Sequence, residues 1–197
     1  MKRVIVCTLA VILIFGFVAC NGNEAGMVSG DLGDVTLDSL MFTLDGVVYT
    51  LPVLFSELEA NGWSVYEPVS PLAYCFASDI LLPNDFASWL LILGDEELVV
   101  TFTNLSSEIL SVSESYITTV LAHPTFSSAQ IVFPGNITLG STYDHMIAAY
   151  GEPNAQHSSE EPASLLIFYS ADNFTLQIII SLESDLITTM SLHYWGS

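Results

Sequence analysis

The sequence predicts an α+β fold made of two tandem αβββ units, in which a short helix packs on one face of each antiparallel sheet. One observation is a repeated order of elements. Residues 42–63 and residues 131–153 each read as a strand, a glycine-containing turn, a strand that ends in Thr-Leu, a short helix and a glycine. The other observation is that runs rich in β-branched residues, with short polar turns between them, follow each helix. We therefore assign the first unit to residues 39–125 and the second to residues 126–197.

Both predicted helices are short amphipathic covers with recognisable ends. In the first, Pro52 suits the opening position of a helix and Gly62 suits the left-handed stop. In the second, Ser141 with Asp144 three residues later is similar to a capping box that uses Asp, and Gly151 ends the helix. These signals predict two helices that each cover one sheet.

Three strand-like runs follow each predicted helix. After the first helix they read SWLLILG, LVVTFTN and SYITTVLAH, and after the second they read SLLIFYS, FTLQIIISL and LITTMSLHYW. Short polar turns such as DEE, ADN and ESD separate them, which favours antiparallel hairpins.

The first 19 residues have the pattern of an export signal. Lys2 and Arg3 precede Val4–Val18, a stretch without any charge that is shorter than the ~20 residues a membrane-spanning helix needs. A positive start, a short apolar centre and the small residue Ala19 before the break are typical of a signal peptide.

The end of this stretch, FVAC, resembles the lipobox of bacterial lipoproteins, in which the cysteine becomes residue one and is acylated. The resemblance implies lipid, such as palmitate, on Cys20 and an extracytoplasmic protein anchored to the cell membrane. Residues 20–38 are rich in glycine and polar residues and predict a flexible tether. The alternative is simple secretion, with Cys20 as an ordinary thiol.

The charge of the chain is one-sided. It contains 22 Asp and Glu residues and only two basic residues, Lys2 and Arg3, so residues 20–197 contain no Lys or Arg. Without these side chains the protein has no strong means of binding phosphate or a nucleic-acid backbone, which argues against nucleic acid as a partner. An acidic surface instead favours basic or neutral protein partners of the envelope and a weak association with divalent cations.

The stretch ITLGSTYDHMIAAYGEP, at residues 137–153, resembles the turn, helix and helix stop of the BamE/SmpA and β-lactamase-inhibitor-protein-like superfamily. It is also similar to uncharacterised Firmicutes lipoproteins that carry this module. The likeness covers residues 137–195 well and residues 40–122 loosely. It implies protein binding, scaffolding or inhibition outside the cytoplasm, and it brings no catalytic residue to this chain.

The sequence has no recognisable catalytic motif, neither a Gly-x-Ser-x-Gly elbow nor a Walker loop nor a His-Glu-x-x-His pair. One loop combines His157 with Glu160 and Glu161, and a transition-metal site there is weighed against a solvated charge cluster, which is the commoner case. We predict no metal site, no cofactor and no enzymatic activity.

Aromatic residues are the best candidates for binding. The candidates are Trp63, Tyr66, Tyr194 and Trp195, each of which could instead be part of the core. If they are exposed on a sheet, Trp and Tyr are natural anchors for a protein or glycan partner.

These observations together predict a non-enzymatic, surface-anchored binding or scaffolding module of the bacterial envelope. An envelope hydrolase is one alternative, and it would require His157 or His193 beside two carboxylates in a pocket. A structural spacer without a specific ligand is the other, and a featureless acidic surface would favour it.

Overall fold

The computed structural model describes residues 40–66 and 80–195. Strands make up 53% and helices 13% of this part of the chain. The α+β prediction is therefore wrong, because the protein is mostly β-sheet. The physical reason is that the two predicted helix regions form only five and eight helical residues, whereas the β-branched runs extend into long strands.

The strands run in chain order as follows. They are β1 Met41–Leu44, β2 Val47–Thr50, β3 Val53–Leu54, β4 Ser64–Val65, β5 Ile80–Leu81, β6 Phe86–Leu93, β7 Glu96–Thr103, β8 Leu110–Ser111, β9 Tyr116–Ala122, β10 Ile131–Val132, β11 Ala155–Glu160, β12 Ala163–Ala171, β13 Phe174–Ser181 and β14 Leu186–Tyr194. The helices are α1 Phe55–Glu59 and α2 Tyr143–Tyr150, and single 3₁₀ turns occupy Val112–Glu114 and Pro134–Asn136.

Nine of these strands form one antiparallel sheet. Eight of them follow the order β11-β12-β13-β14-β9-β7-β6-β4. The ninth, β3, pairs with the first residues of β9, on the same side of β9 as β14. Strands from both predicted units therefore belong to the same sheet, and the pairing of β9 with β14 joins them. The αβββ units are not separate sheets with a helix each.

Two smaller sheets complete the described fold. One has the order β10-β1-β2, and the other pairs β5 with β8. Their buried apolar residues belong to the same core cluster as the nine-stranded sheet and both helices. Alternate residues of the long strands point into this core from one face of the large sheet. In β13 the buried residues are Phe174, Leu176, Ile178 and Ile180.

The first helix is shorter than predicted. It begins at Phe55, because Val53–Leu54 pair with β9 as a strand. Pro52 therefore does not open the helix. Phe55 packs edge-on against Phe102 of β7, with ring centroids 5.4 Å apart, which fixes α1 on the core face.

The second helix differs at its start and agrees at its end. Thr142, not Ser141, is the N-cap, and its Oγ1 accepts a hydrogen bond from the His145 backbone N–H at 3.2 Å. Gly151 ends the helix with a φ of 74°, as its sequence position predicts. Neither helix in the described ranges has the length and apolar character needed to cross a membrane.

Candidate binding face

The nine-stranded sheet has a second face, turned away from the core. In β14, Met190 and Leu192 point into the core, so Ser191 and His193 lie on the other side. The two helices pack on the core face, through Phe55 in α1 and Tyr150 in α2. We refer to the opposite side as the open face, since neither helix in the described part of the chain covers it.

A line of polar residues crosses the open face at right angles to the strands. The register pairs each of these residues with the next, from β6 through β7, β9, β14 and β13 to β12. The members of this hydroxyl row are Ser88, Thr101, Thr119, His193, Thr175 and Ser170. Neighbouring strands lie ~4.8 Å apart, so the row spans roughly 24 Å.

Side chains along the hydroxyl row are hydrogen-bonded in pairs. Ser88 Oγ and Thr101 Oγ1 are 3.1 Å apart, and Ser170 Oγ and Thr175 Oγ1 are 3.2 Å apart. Pairs of hydroxyls on facing strands stabilise a sheet and hold each other's orientation. The row is thus an ordered set of groups that can each donate and accept.

His193 is the centre of the row. Its Nδ1 lies 3.1 Å from Thr119 Oγ1, and its Nε2 lies 2.9 Å from Ser191 Oγ. All three residues are less than a tenth exposed. Burial lowers the pKa of His193 to about 4, because an imidazolium would lose its hydration there. The ring is therefore neutral at physiological pH.

Trp195 stacks against this histidine with an offset. The indole and imidazole rings are stacked, with centroids 5.5 Å apart and planes 13° apart. The indole Nε1 donates a hydrogen bond to Thr175 Oγ1 at 3.2 Å, and the backbone N–H donates to Asn173 O at 2.7 Å. Trp195 remains 58% exposed, so an aromatic surface held in place from below faces the solvent.

The other aromatic candidates occupy different positions. Trp63 is 2% exposed and belongs to the core, the alternative to a binding role that the sequence left open. Tyr194 is half-buried against the core. Tyr66 is exposed and donates its backbone N–H to Leu90 O beside β6, so strands β6, β7 and β9 separate it from Trp195. Cys20 lies outside the described residues.

The hydrolase alternative required His157 or His193 beside two carboxylates, and the contacts given below for these two residues include no carboxylate. Within the described residues, His193 contacts hydroxyls, and the His157 ring packs edge-on against Phe168 at 6.1 Å. His157 and Glu160 lie on the exposed strand β11. No group of three potential metal ligands occurs in the described part of the chain.

The sequence predictions did not include the hydroxyl row. A local signal existed, because Thr101 and Thr103 alternate with apolar residues in β7, and Ser191 and His193 do so in β14. Alternation showed which face these residues occupy but not which strands are neighbours.

Comparisons of the chain with protein-family models, curated proteins and solved structures found no match. The resemblance to the BamE/SmpA and β-lactamase-inhibitor-protein-like superfamily therefore stays a prediction.

Proposed function

We propose that this protein is a non-enzymatic binding module that lipid on Cys20 holds at the outer side of a membrane, and that the open face is its binding surface. The observation that supports the proposal most is Trp195, an exposed aromatic ring held by contacts with His193 and Thr175 of an ordered polar row whose centre is buried. Rigid exposed aromatic residues are the commonest anchors of binding surfaces.

The charge of the chain supports a neutral or basic partner. All 22 acidic residues and neither of the two basic residues fall within residues 20–197, so like-charge repulsion disfavours anionic partners. Neutral or basic proteins and other uncharged or basic components of the envelope remain as candidate partners. Divalent cations would associate only weakly with the acidic chain. A spacer without a ligand is the weaker candidate, because the hydroxyl row is ordered and uncharged rather than a featureless acidic surface.

The anchor can be tested separately from the binding surface. Metabolic labelling with palmitate should mark the full chain and should not mark a Cys20→Ala variant, because only the thiol of this residue is a lipid acceptor in the lipobox. Two or more acyl chains hold a protein stably on a bilayer, so the labelled form should sediment with membranes. An unlabelled chain of full length in the cytosol would contradict the anchor.

The binding surface is tested by recovery of partners from native membranes. The intact anchored protein should retain a component that survives physiological salt and that the Trp195→Ala variant loses. Val48→Ala is the matched control, since Val48 is 60% exposed on β2, outside the nine-stranded sheet. Equal recovery by all three proteins, or recovery at low salt only, would count against a specific binding module.

A further inference from the structure

We propose that the open face binds uncharged carbohydrate, with Trp195 as the stacking platform and the centre of the hydroxyl row as the polar floor. This inference rests on the proposed binding function and specifies the ligand class of the same surface. It depends on three features of the described residues: the chemistry of two neighbouring rows, an unmatched buried hydroxyl, and the exposed side of the indole.

The first feature is the absence of charge over the middle of the open face. The row beside the hydroxyl row follows the same register across the same strands. Its members are Leu90, Val99, Leu121, Ser191, Gln177 and Phe168. Neither row contains a carboxylate, although the chain has 22. A basic protein partner would find no counter-charge in these two rows, whereas a neutral ligand needs none.

The second feature is a hydroxyl proton without an acceptor. A neutral imidazole has one donor and one acceptor nitrogen. If Nδ1 of His193 carries the proton, it donates to Thr119, and the proton of the Thr119 hydroxyl has no acceptor among the described residues. If Nε2 carries the proton, the same holds for the hydroxyl of Ser191. Thr119 is 8% exposed and Ser191 is 7% exposed.

Such a buried donor costs stability until a ligand or water oxygen accepts from it. The unmatched donor lies on the open face, in hydrogen-bond contact with the His193 ring on which Trp195 stacks. A ligand oxygen would have to reach it through the small exposed part of Thr119 or Ser191. A sugar hydroxyl both accepts and donates, so it can complete the chain whichever nitrogen is protonated.

The third feature is the free side of the indole. One side of Trp195 stacks on His193, and the hydrogen bond to Thr175 fixes its rotation. The other side is available, because the residue is 58% exposed. A pyranose ring has a face of C–H groups that packs on an aromatic plane and a rim of hydroxyls that reaches neighbouring polar groups, which is the combination presented here.

A carbohydrate fits these features better than a protein does. The cores of protein interfaces are enriched in aromatic residues, Met and Arg and are depleted in Ser. The hydroxyl row is made of Ser, Thr and His, and its groups are donors and acceptors at once. Polysaccharides with carboxylate or sulfate groups are disfavoured by the acidic chain.

The test is a titration of the full chain, kept in a detergent without a sugar head group. The probes are cellohexaose, maltohexaose, mannohexaose, chitohexaose and an array of uncharged glycans, with hexagalacturonate as the charged counterpart. Acrylamide, a neutral quencher, reports on Trp195, because Trp63 is buried and Trp89 is half-buried. At least one neutral glycan should protect Trp195 from the quencher, and hexagalacturonate should not.

Two variants locate the site. Trp195→Ala lacks the fluorescent reporter, so its binding is followed by isothermal titration calorimetry beside the unaltered protein; it should weaken binding about tenfold or more, since the stacking platform is removed. His193→Phe keeps a ring under the indole but removes both nitrogens, so it should weaken binding while leaving the protection of Trp195 by saturating glycan intact. Val48→Ala should bind like the unaltered protein, and thermal unfolding checks that each variant is folded.

Each outcome decides between the proposals. If no neutral glycan binds at millimolar concentration, or if hexagalacturonate binds as well as the neutral probes, the carbohydrate inference is overturned. If in that case Trp195→Ala still releases a protein recovered from native membranes, the open face is a protein-docking surface and the binding module stands. If no neutral glycan binds and Trp195→Ala also releases no protein recovered from native membranes, the proposed binding module is overturned as well.

Discussion

The burial of His193 makes a quantitative prediction about stability and pH. The pKa of this residue is about 4 in the folded protein, against its ordinary value of 6.5 in an unfolded chain. Above pH 6.5 the imidazole is neutral in both states and favours neither. As the pH falls from 6.5 to about 4, the unfolded chain binds a proton that the folded protein does not bind, so the free energy of unfolding decreases.

The magnitude follows from the difference between the two pKa values. A difference of about 2.5 at about 1.36 kcal/mol for each pKa unit gives roughly 3 kcal/mol, which is fully lost by about pH 4. This is a large part of the stability of a typical domain, which is about 5–15 kcal/mol. One buried imidazole should therefore dominate the difference between the protein and a variant without it.

The assay is urea unfolding of the protein and of His193→Gln between pH 7.5 and pH 4 at constant ionic strength. The difference between the two free energies of unfolding cancels the contribution of the 22 carboxylates, which both proteins share. It also separates a constant offset, caused by altered hydrogen bonds to Thr119 and Ser191, from the part that varies with pH. The expected result is a difference that changes by roughly 3 kcal/mol in favour of the variant as the pH falls.

The control is His145→Gln, which removes an exposed imidazole from α2. A difference for His193→Gln that stays flat from pH 7.5 to pH 4 would refute the reasoning, because the imidazole would then take up its proton equally well in the folded protein. A change in the opposite direction would mean that the folded state stabilises the imidazolium.

Three further predictions concern the backbone, one hydrogen bond and the unusual composition. Gly135→Ala should lower the free energy of unfolding for two reasons. A side chain at a φ of 71° costs about 1–2 kcal/mol. The new Cβ would also lie 2.7 Å from the Cβ of Ala149, which costs about 1–3 kcal/mol more. Gly46→Ala has open space and should show only the first cost, and urea unfolding compares the two. Tyr150→Phe removes a 2.6 Å hydrogen bond to Pro134 O and should lower the free energy of unfolding by about 1 kcal/mol in the same assay. Trypsin should leave residues 20–197 uncut even after unfolding, whereas chymotrypsin should cut them, as mass spectrometry would show; a tryptic fragment from this region would contradict the prediction.

The sequence predicted six of the seven described strands that have six or more residues, and it missed the seventh, the edge strand β11. The runs that became β6, β7, β9, β12, β13 and β14 consist mainly of β-branched, aromatic and other apolar residues between short polar turns. Strand β11, with the sequence AQHSSE, has no apolar alternation, and all six of its residues are exposed. Its sequence has the composition of a loop, and only its pairing with β12 makes it a strand.

The sequence could not predict the candidate site, because the site depends on which distant strands meet. His193 and Thr119 are 74 positions apart and become neighbours only when β14 pairs with β9. The pattern within each strand specifies the face on which a side chain lies, but the order of strands is set by packing of the whole core. The sequence named Trp195 as an aromatic candidate. The hydroxyl row beside it can be recognised only once the register of the complete sheet is known.

The absence of lysine also changes how the edge of the sheet is protected. Natural sheets commonly place Lys on edge strands, which prevents the exposed backbone from pairing with another chain. Strand β11 is such an edge, and residues 20–197 contain no Lys. Its protection must come from polar side chains along the whole strand, from Glu160 at its end, and from repulsion between copies that carry the same large negative charge. The one-sided composition that disfavours anionic ligands at the open face thus also disfavours self-association at the edge.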